Sequence, residues 1–401
     1  MATNGVTMSE LKEVYIIDAV RTPIGSFMGA LSTIPAPKLG SIAIKGLLDR
    51  TGVKTDIVDE VIMGNVIQAG EGQAPARQAA LLAGLADSTQ CMTINKVCGS
   101  GLKTVMLGAQ AIMVGDADVV IAGGMENMSQ IPFYLKNARG GFKMGDQKVI
   151  DGMLIDGLVD AYDNVHMGNF AELCARELNI SREDQDNFAE ESYKKALKAI
   201  EEKVFEGEII PVEIQSKKGT VIVNTDEEPG KVNFEKMKAL RPVFDKEGTV
   251  TAANASSIND GAAAVLLMSK EKAEELGLKP IAKIIAQASA AKDPKWFTTA
   301  PVDAINKVLK KANMTKDQID LFEINEAFSV VSLAVNKLLE LDTAKVDIHG
   351  GAVAMGHPIG ASGARILTTL LHTMKRQDAK FGLAALCIGG GEASALIVEN
   401  K

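Results

Sequence analysis

The chain has few aromatic residues. Phe, Trp and Tyr make up 4% of its 401 residues while hydrophobic residues reach 46%, so the core must be aliphatic and rich in small side chains. That composition suits a tightly layered α/β protein. An excess of basic charge is also missing. Lys and Arg number 43 against 51 Asp and Glu, a net charge of −8. Nucleic acid is therefore a poor partner, because phosphate backbones need a basic face. No apolar run is expected to reach the ~18 residues of a membrane span. The first residues, MATNGVTMSE, show neither the charged-then-apolar order of a secretion signal nor an Arg-rich leader, and the last four, VENK, are not a peroxisomal address. A cytoplasmic location is the expectation. The four cysteines, Cys91, Cys98, Cys174 and Cys387, form no CxxC pair, and the four histidines show no ligand-like spacing to them. A structural zinc site and a disulfide framework are both disfavoured. What remains open is which cysteines react.

What the chain does have is a repeated half. TGVKTDIVDEVIMGNV from Thr51 is echoed by ANMTKDQIDLFEINEA from Ala312, with Asp56 on Asp317 and Asp59 on Asp320. Asn65 and Asn325 follow one position out of that register. CGSGLKTVMLGAQAI from Cys98 is echoed by GASGARILTTLLHTM from Gly360, placing Gly101 on Gly363. VVIAGGMENMS and LCIGGGEAS close the series, with Gly123 on Gly389 and Glu126 on Glu392. An ordered series of this kind predicts one folding unit used twice. The first copy holds Cys98, while the second holds Asn325, His357 and Cys387. A site built between the halves would bring all four together.

Short buried-strand patterns such as EVYIID, DEVIMGNV and DVVIAGG alternate with helical runs, among them LGSIAIKGLLDRTG, APARQAALLAGL and the segment from Cys98 to Val114. Alternation of this kind predicts mostly parallel sheets. From about residue 129 to 257 charges become dense and the repeat disappears. This stretch contains an amphipathic helix that begins with a Ser-x-x-Asp start at Ser181. The expected domains are residues 1–128 with 258–280, an insertion over 129–257, and a second half over 281–401.

Three segments carry reactive chemistry. Cys98 precedes Gly-Ser-Gly and an apolar helix, where the peptide dipoles would favour a thiolate; the plainer alternative is a small buried residue at a helix start. HGGAVAMGHPIGASGAR sets His357 among glycines and ahead of Pro358. An imidazole there is a candidate base, and a phosphate-binding loop is the weaker alternative because no P-loop lysine is present. CIGGGEAS puts Cys387 ahead of three glycines, which either form an oxyanion hole or simply turn the chain. In INEAF, the polar pair Asn325 and Glu326 interrupts an apolar stretch and needs a reason, with structural hydrogen bonding the default.

In this order and spacing, VCGSG, NEAF, GHPIGASGAR and CIGGG resemble the thiolases, and the resemblance covers nearly the whole chain. It implies a duplicated α/β fold with a five-layered αβαβα core and a loop-domain insertion in the first half. It implies a nucleophile at Cys98, a base at His357, an acid/base at Cys387, a water held by Asn325, and amides of Cys98 and Gly389 around an acyl oxygen. YDNVHMGNFAE and LRPVFDKEGTVTAANASSINDGAAA resemble the short-chain, acetoacetyl-CoA subgroup. By that likeness Leu158, His166, Met167 and Phe297 line the acyl and pantetheine channel, and Ser256 hydrogen-bonds pantetheine. Lys217 and Lys218 either meet the nucleotide end of CoA or belong to a solvated loop. AANAS matches potassium-responsive members, so potassium near Ala252, Ala253 and Ala255 stands beside an ordinary tight loop. No cofactor is required. The implied partners are acetyl-CoA, acetoacetyl-CoA, CoA and further copies of the chain in a homotetramer, with no nucleic acid and no membrane. The implied reaction is the reversible condensation of two acetyl-CoA. The rivals are a broad-range degradative 3-ketoacyl-CoA thiolase and, more remotely, a non-catalytic CoA- or lipid-binding protein.

Overall fold

The computed structural model describes residues 11–216 and 219–401. The chain first forms β1 (Val14–Arg21), α1 (Ala36–Thr51), β2 (Glu60–Gly64), α2 (Pro75–Leu82), β3 (Gln90–Ile94), α3 (Ser100–Val114) and β4 (Val119–Asn127). Residues 128–258 then carry α4 (Met167–Glu177) and α5 (Arg182–Glu201), and β5 (Asn259–Ser269) closes the first half. The second half runs β6 (Ala282–Ala291), α6 (Ala300–Ala312), β7 (Leu321–Ile324), α7 (Ser329–Leu339), α8 (Ser362–Gln377), β8 (Phe381–Ile388) and β9 (Glu392–Asn400).

The strand order β2-β4-β5-β1 is repeated as β7-β8-β9-β6, with β3 an additional edge strand of the first half, and the two sheets join where Tyr15 and Ile16 of β1 pair with Lys283 and Ala282 of β6. The expectation of mostly parallel sheets is corrected. β2 runs parallel to β3 and β4, and β7 to β8, but the remaining pairings are antiparallel. The reason lies in the connections. A crossover helix enforces a parallel neighbour, whereas a tight turn enforces an antiparallel one. Gly389–Gly391 make such a turn between β8 and β9, with φ of +88° at Gly390 and +85° at Gly391. Residues 128–258 fill the corresponding connection in the first half.

Three apolar clusters define the layers. α1 packs on the outer face of the first sheet through Ile44 and Leu47, against Val61 and Leu266. α3 and α8 lie between the sheets, where Leu102, Val105, Ile366 and Leu370 meet Val120, Val265, Leu386 and Leu396. α6 and α7 cover the second sheet through Val308, Val331 and Val335, against Leu383 and Ile397. The result is the five-layered αβαβα core. Each fully buried Leu, Ile or Val contributes about 1.5–3 kcal/mol relative to exposure. The segment Val97–Val114 does qualify by length and hydropathy as a candidate span, against expectation, but its helix α3 is the central core helix.

The repeat is real, but its register differs at two places. Asp59 Oδ2 accepts the N–H groups of Asp118 and Val119, and Asp320 Oδ2 accepts those of Lys380 and Phe381. Counted from Val119 and Phe381, Gly123 falls on Ala385 and Glu126 on Ile388, not on Gly389 and Glu392. The similar glycine-acid strings lie at different distances from the turn. Asn65 and Asn325 also part company. The Asn65 N–H bonds to Ile94 of β3, whereas the Asn325 N–H bonds to Ala385 of β8.

The central helices approach each other at two glycines. A Cβ on Gly101 would lie 2.7 Å from the Ala364 nitrogen, and one on Gly363 would run into the Leu102 nitrogen. No larger residue fits this crossing. It brings the starts of α3 and α8, and so the Cys98 turn and the His357 loop, to one place.

Candidate active site

Cys98 ends a strained turn two residues ahead of α3. Val97 has φ +45°, a left-handed conformation that a β-branched residue rarely adopts. Its N–H donates to Asn95 Oδ1 at 2.8 Å, and its carbonyl accepts from the Ser100 N–H at 3.0 Å and the Ser100 hydroxyl at 2.7 Å. Burial pushes the Cys98 thiol up to about 11, while the N–H groups of Gly389 and of Cys98 itself pull the other way. The pull toward thiolate that the helix start suggested is outweighed here. The apolar surroundings outweigh the helix end. The thiol is neutral near pH 7 and needs a base.

His357 lies in the loop between the short helix Ala352–Met355 and α8. Its backbone N–H donates to Asn259 Oδ1 at 2.8 Å. Its ring Nδ1 is 2.6 Å from Ser362 Oγ, and that hydroxyl donates to the Pro358 carbonyl at 2.9 Å. The hydroxyl proton being used, the network assigns the ring hydrogen to Nδ1. Nε2 then keeps its lone pair, and it is buried without a partner among the described residues. Burial, helped by Arg365, lowers the imidazole to about 3, so it is neutral at physiological pH and able to take a proton. Asn325 lies beside it, with Nδ2 3.5 Å from Nδ1, too long for a firm bond. Its Oδ1 is also buried and has no partner among the described residues.

Cys387 is the penultimate residue of β8, opposite Ala393 of β9. Burial first, and the neighbouring Cys98 second, raise its thiol well above the ordinary range. The turn after β8 presents the Gly389 N–H to the Cys98 sulfur. Two amides, those of Cys98 and Gly389, thus face the sulfur that would carry an acyl group.

Cys98, His357, Cys387 and Gly389 open onto one cavity of about 380 Å³. Leu158, His166, Met167 and Phe297 form its walls, and Ser256, Ala252 and Ala255 also line it. The Ser256 hydroxyl donates to the Ala327 carbonyl at 2.8 Å, which leaves its oxygen free to accept an incoming N–H. Asn325 reaches the site through His357 rather than lining the cavity. Ala253 faces away, in a core cluster with Tyr193 and Val353. Lys217 and Lys218 lie outside the described residues. Sequence reasoning missed Phe244, Phe328, Asn259 and Ser362. Phe244 stacks on His166 at 4.6 Å and meets Phe328 edge-on, as Phe328 meets Phe297. Scarcity was the available signal. In a chain so poor in aromatics, Phe244 and Phe328 each sit inside a motif already singled out.

Family comparison supports the geometry. The thiolase N-terminal domain matches residues 14–271, and the thiolase C-terminal domain residues 278–400. The chain belongs to the thiolase family. It is 56% identical over 390 residues to an acetyl-CoA acetyltransferase of Schizosaccharomyces pombe, covering 97% of this thiolase and 99% of that protein. The crystal structure of human mitochondrial 3-ketoacyl-CoA thiolase superposes with a TM-score of 0.95 at 38% identity, over 98% of this chain and all of that one. The Acat5 thiolase of Ascaris suum in complex with coenzyme A gives 0.93 at 45% identity, over 97% and 100%.

Proposed function

We propose that this thiolase is an acetyl-CoA C-acetyltransferase, joining two acetyl-CoA into acetoacetyl-CoA and free CoA. The observation that carries the reading is the convergence on one cavity of a neutral imidazole, two protonated thiols and two backbone amides. The likeness to the S. pombe acetyltransferase supports the substrate. His357 Nε2 takes the Cys98 proton as the sulfur attacks the acetyl carbon of the first thioester. The oxyanion is held by the Cys98 and Gly389 amides, and loss of one such donor typically costs ~10²–10³ in rate. As the C–S bond breaks, Cys387 gives its proton to the departing CoA sulfur and becomes the thiolate. That thiolate removes the α-proton of a second acetyl-CoA. The enolate oxygen is received by protonated His357 and a water on Asn325. The carbanion attacks acetyl-Cys98, and the expelled Cys98 sulfur recovers its proton from His357. The proton count closes, and Cys387 ends as it began. Ser256 accepts from pantetheine, while Leu158, His166, Met167 and Phe297 enclose the acyl end.

A chain-length profile of thiolysis tests this against the broad-range rival, which the human 3-ketoacyl-CoA thiolase likeness keeps in view. Met167 and Phe297 are buried walls of the cavity. An open apolar pocket would gain ~0.8 kcal/mol per added methylene, whereas a closed one loses ~1–3 kcal/mol to overpacking. Activity should fall steeply beyond four acyl carbons. Equal or rising rates at eight carbons would establish the broad-range reading instead.

Potassium and assembly belong to the same proposal. The carbonyls of Ala252, Ala253 and Ala255 accept no hydrogen bond among the described residues, which suits a weakly hydrated cation bracing Ser256. Rate and CoA affinity should be higher in potassium than in sodium at equal ionic strength, and identical values would remove the cation from the scheme. Among the described residues the outer edge of β3 is unpaired, and it is flanked by exposed Leu81, Leu82 and Met92, a face that a second copy would cover in a homotetramer. Sedimentation of an active monomer would refute that assembly.

A further inference from the structure

Glu126 ends its burial at the close of β4 without a cation. The side chain is 0% exposed, and no Lys, Arg or His forms an ion pair with it among the described residues. A buried carboxyl without a counter-charge is expensive, and an apolar side chain would avoid the cost. What it has instead is a full set of donors. Oε2 accepts the N–H of Val66 at 2.9 Å and of Gly360 at 2.9 Å. Oε1 accepts the N–H of Ile67 at 3.1 Å and the Asn65 amide at 3.3 Å. Three of the four donors belong to the strand end of its own half. The fourth, Gly360, belongs to the other half and lies three residues beyond His357.

That link matters because the His357 loop has few other anchors. Asn259 holds the His357 backbone, and Ser362 holds its ring. Between them, Gly360 gives the loop a second bond to the first half, beside that of Asn259, and it must be glycine because a Cβ would run into Glu126 Oε2. Counted back from the helix starts at Ser362 and Ser100, Gly360 occupies in the second copy the position of Cys98 in the first. At these matching positions the first half thus places the reactive thiol, and the second a backbone N–H held by the carboxyl of Glu126.

We infer that Glu126 is a positioning residue, which through Gly360 sets the loop that aims His357 at Cys98. This rests on the reading of His357 as the base. A displacement of about 1 Å in a reacting group can cost on the order of 10² in rate, so the carboxylate should act on turnover rather than on substrate binding.

The test is Glu126→Gln in the full-length enzyme, with thermal unfolding to establish that it folds. Gln keeps the size but replaces one acceptor oxygen by an NH2 group, so it cannot accept both the Val66 and Gly360 N–H pair and the Ile67 N–H. The expected result is a fall in kcat of about 10–100-fold, equal slowing of Cys98 acetylation, and a KM for acetyl-CoA within about threefold of the parent. Glu71→Gln is the control. Glu71 is close enough to repel Glu126 and touches Asn65, but does not bond to Gly360, so kcat should stay within about twofold. A folded Glu126→Gln enzyme with unchanged kcat would overturn the inference, as would a rise in KM alone. Equal losses in Glu126→Gln and Glu71→Gln would overturn it too, because local charge rather than the Gly360 bond would then be responsible. Should Glu126→Gln fail to fold, Glu126→Asp keeps a carboxyl but shortens its reach to the Gly360 N–H, and the same kcat-only loss is expected; normal turnover there would count against the role. His357→Ala is measured alongside. Full activity in that variant would defeat the reading of the base itself, whereas an inactive His357→Ala beside a normal Glu126→Gln would defeat only the inference about Glu126.

Discussion

Replacing Cys98 by alanine should abolish acetyl transfer, with a loss of about 10⁴ or more in turnover and no labelled acetyl-enzyme. The residue combines a strained turn, two facing amides and a base with a free lone pair, and no other cysteine shares that set. Labelled acetyl-CoA followed by peptide mapping reads the result directly. Label on Cys387 with none on Cys98 would reverse the assignment. The protonation state of the unaltered protein gives a second readout. An acid whose value is raised stays neutral below it and loses its proton only as pH climbs through it. Alkylation of resting Cys98 by iodoacetamide should therefore rise about tenfold per pH unit and level only near pH 11. A plateau near pH 8 would show that the thiolate is already present in the free enzyme.

Replacing Cys387 by serine should separate the two half-reactions. Acetylation of Cys98 should survive within about tenfold, since His357 activates that sulfur and CoA, a good leaving group as a thiolate, can depart without the Cys387 proton. Condensation should fall by about 10³–10⁴, the upper range for loss of a positioned acid/base, because a serine hydroxyl is a far weaker α-proton acceptor once deprotonation is required of it. Equal damage to both steps would mean that Cys387 also shapes the Cys98 pocket or that CoA does not leave without its proton. Burst kinetics with acetyl-CoA separates the two outcomes. The contrast between the cysteines follows from their elements. Cys98 sits in a turn that two amides face, whereas Cys387 is held in a strand end, buried on all sides but the cavity.

Much of this arrangement is legible before folding is considered. The duplication can be read from Asp59 and Asp320, and in the structure each makes the same pair of bonds to the start of the neighbouring strand, β4 or β8. The insertion can be read from its charge density. Cys98, His357, Cys387 and Gly389 announce themselves by glycines that leave space around them. The misreadings have a common cause. The alignment of Glu126 with Glu392 compared letters near a turn, and a turn of three residues in one half is a connection of residues 128–258 in the other. The parallel-sheet expectation failed for the same reason, since strand direction depends on what the connection does in space.

The sequence by itself determined the family, the folding unit used twice, and which residues are candidates for the reactive groups. Those are properties of residue type and order along the chain. Only the tertiary structure decided their states. The Cys98 thiol is neutral because apolar walls from distant segments surround it, and no helix-start rule could weigh that burial. The His357 tautomer follows from Ser362 and Pro358 meeting at one hydroxyl. One of the four partners of Glu126 is Gly360, far along the chain, brought near by the glycine crossing of α3 and α8. Proton affinity and aim depend on what lies within a few ångströms, and neighbours at that range are chosen by packing rather than by position in the chain.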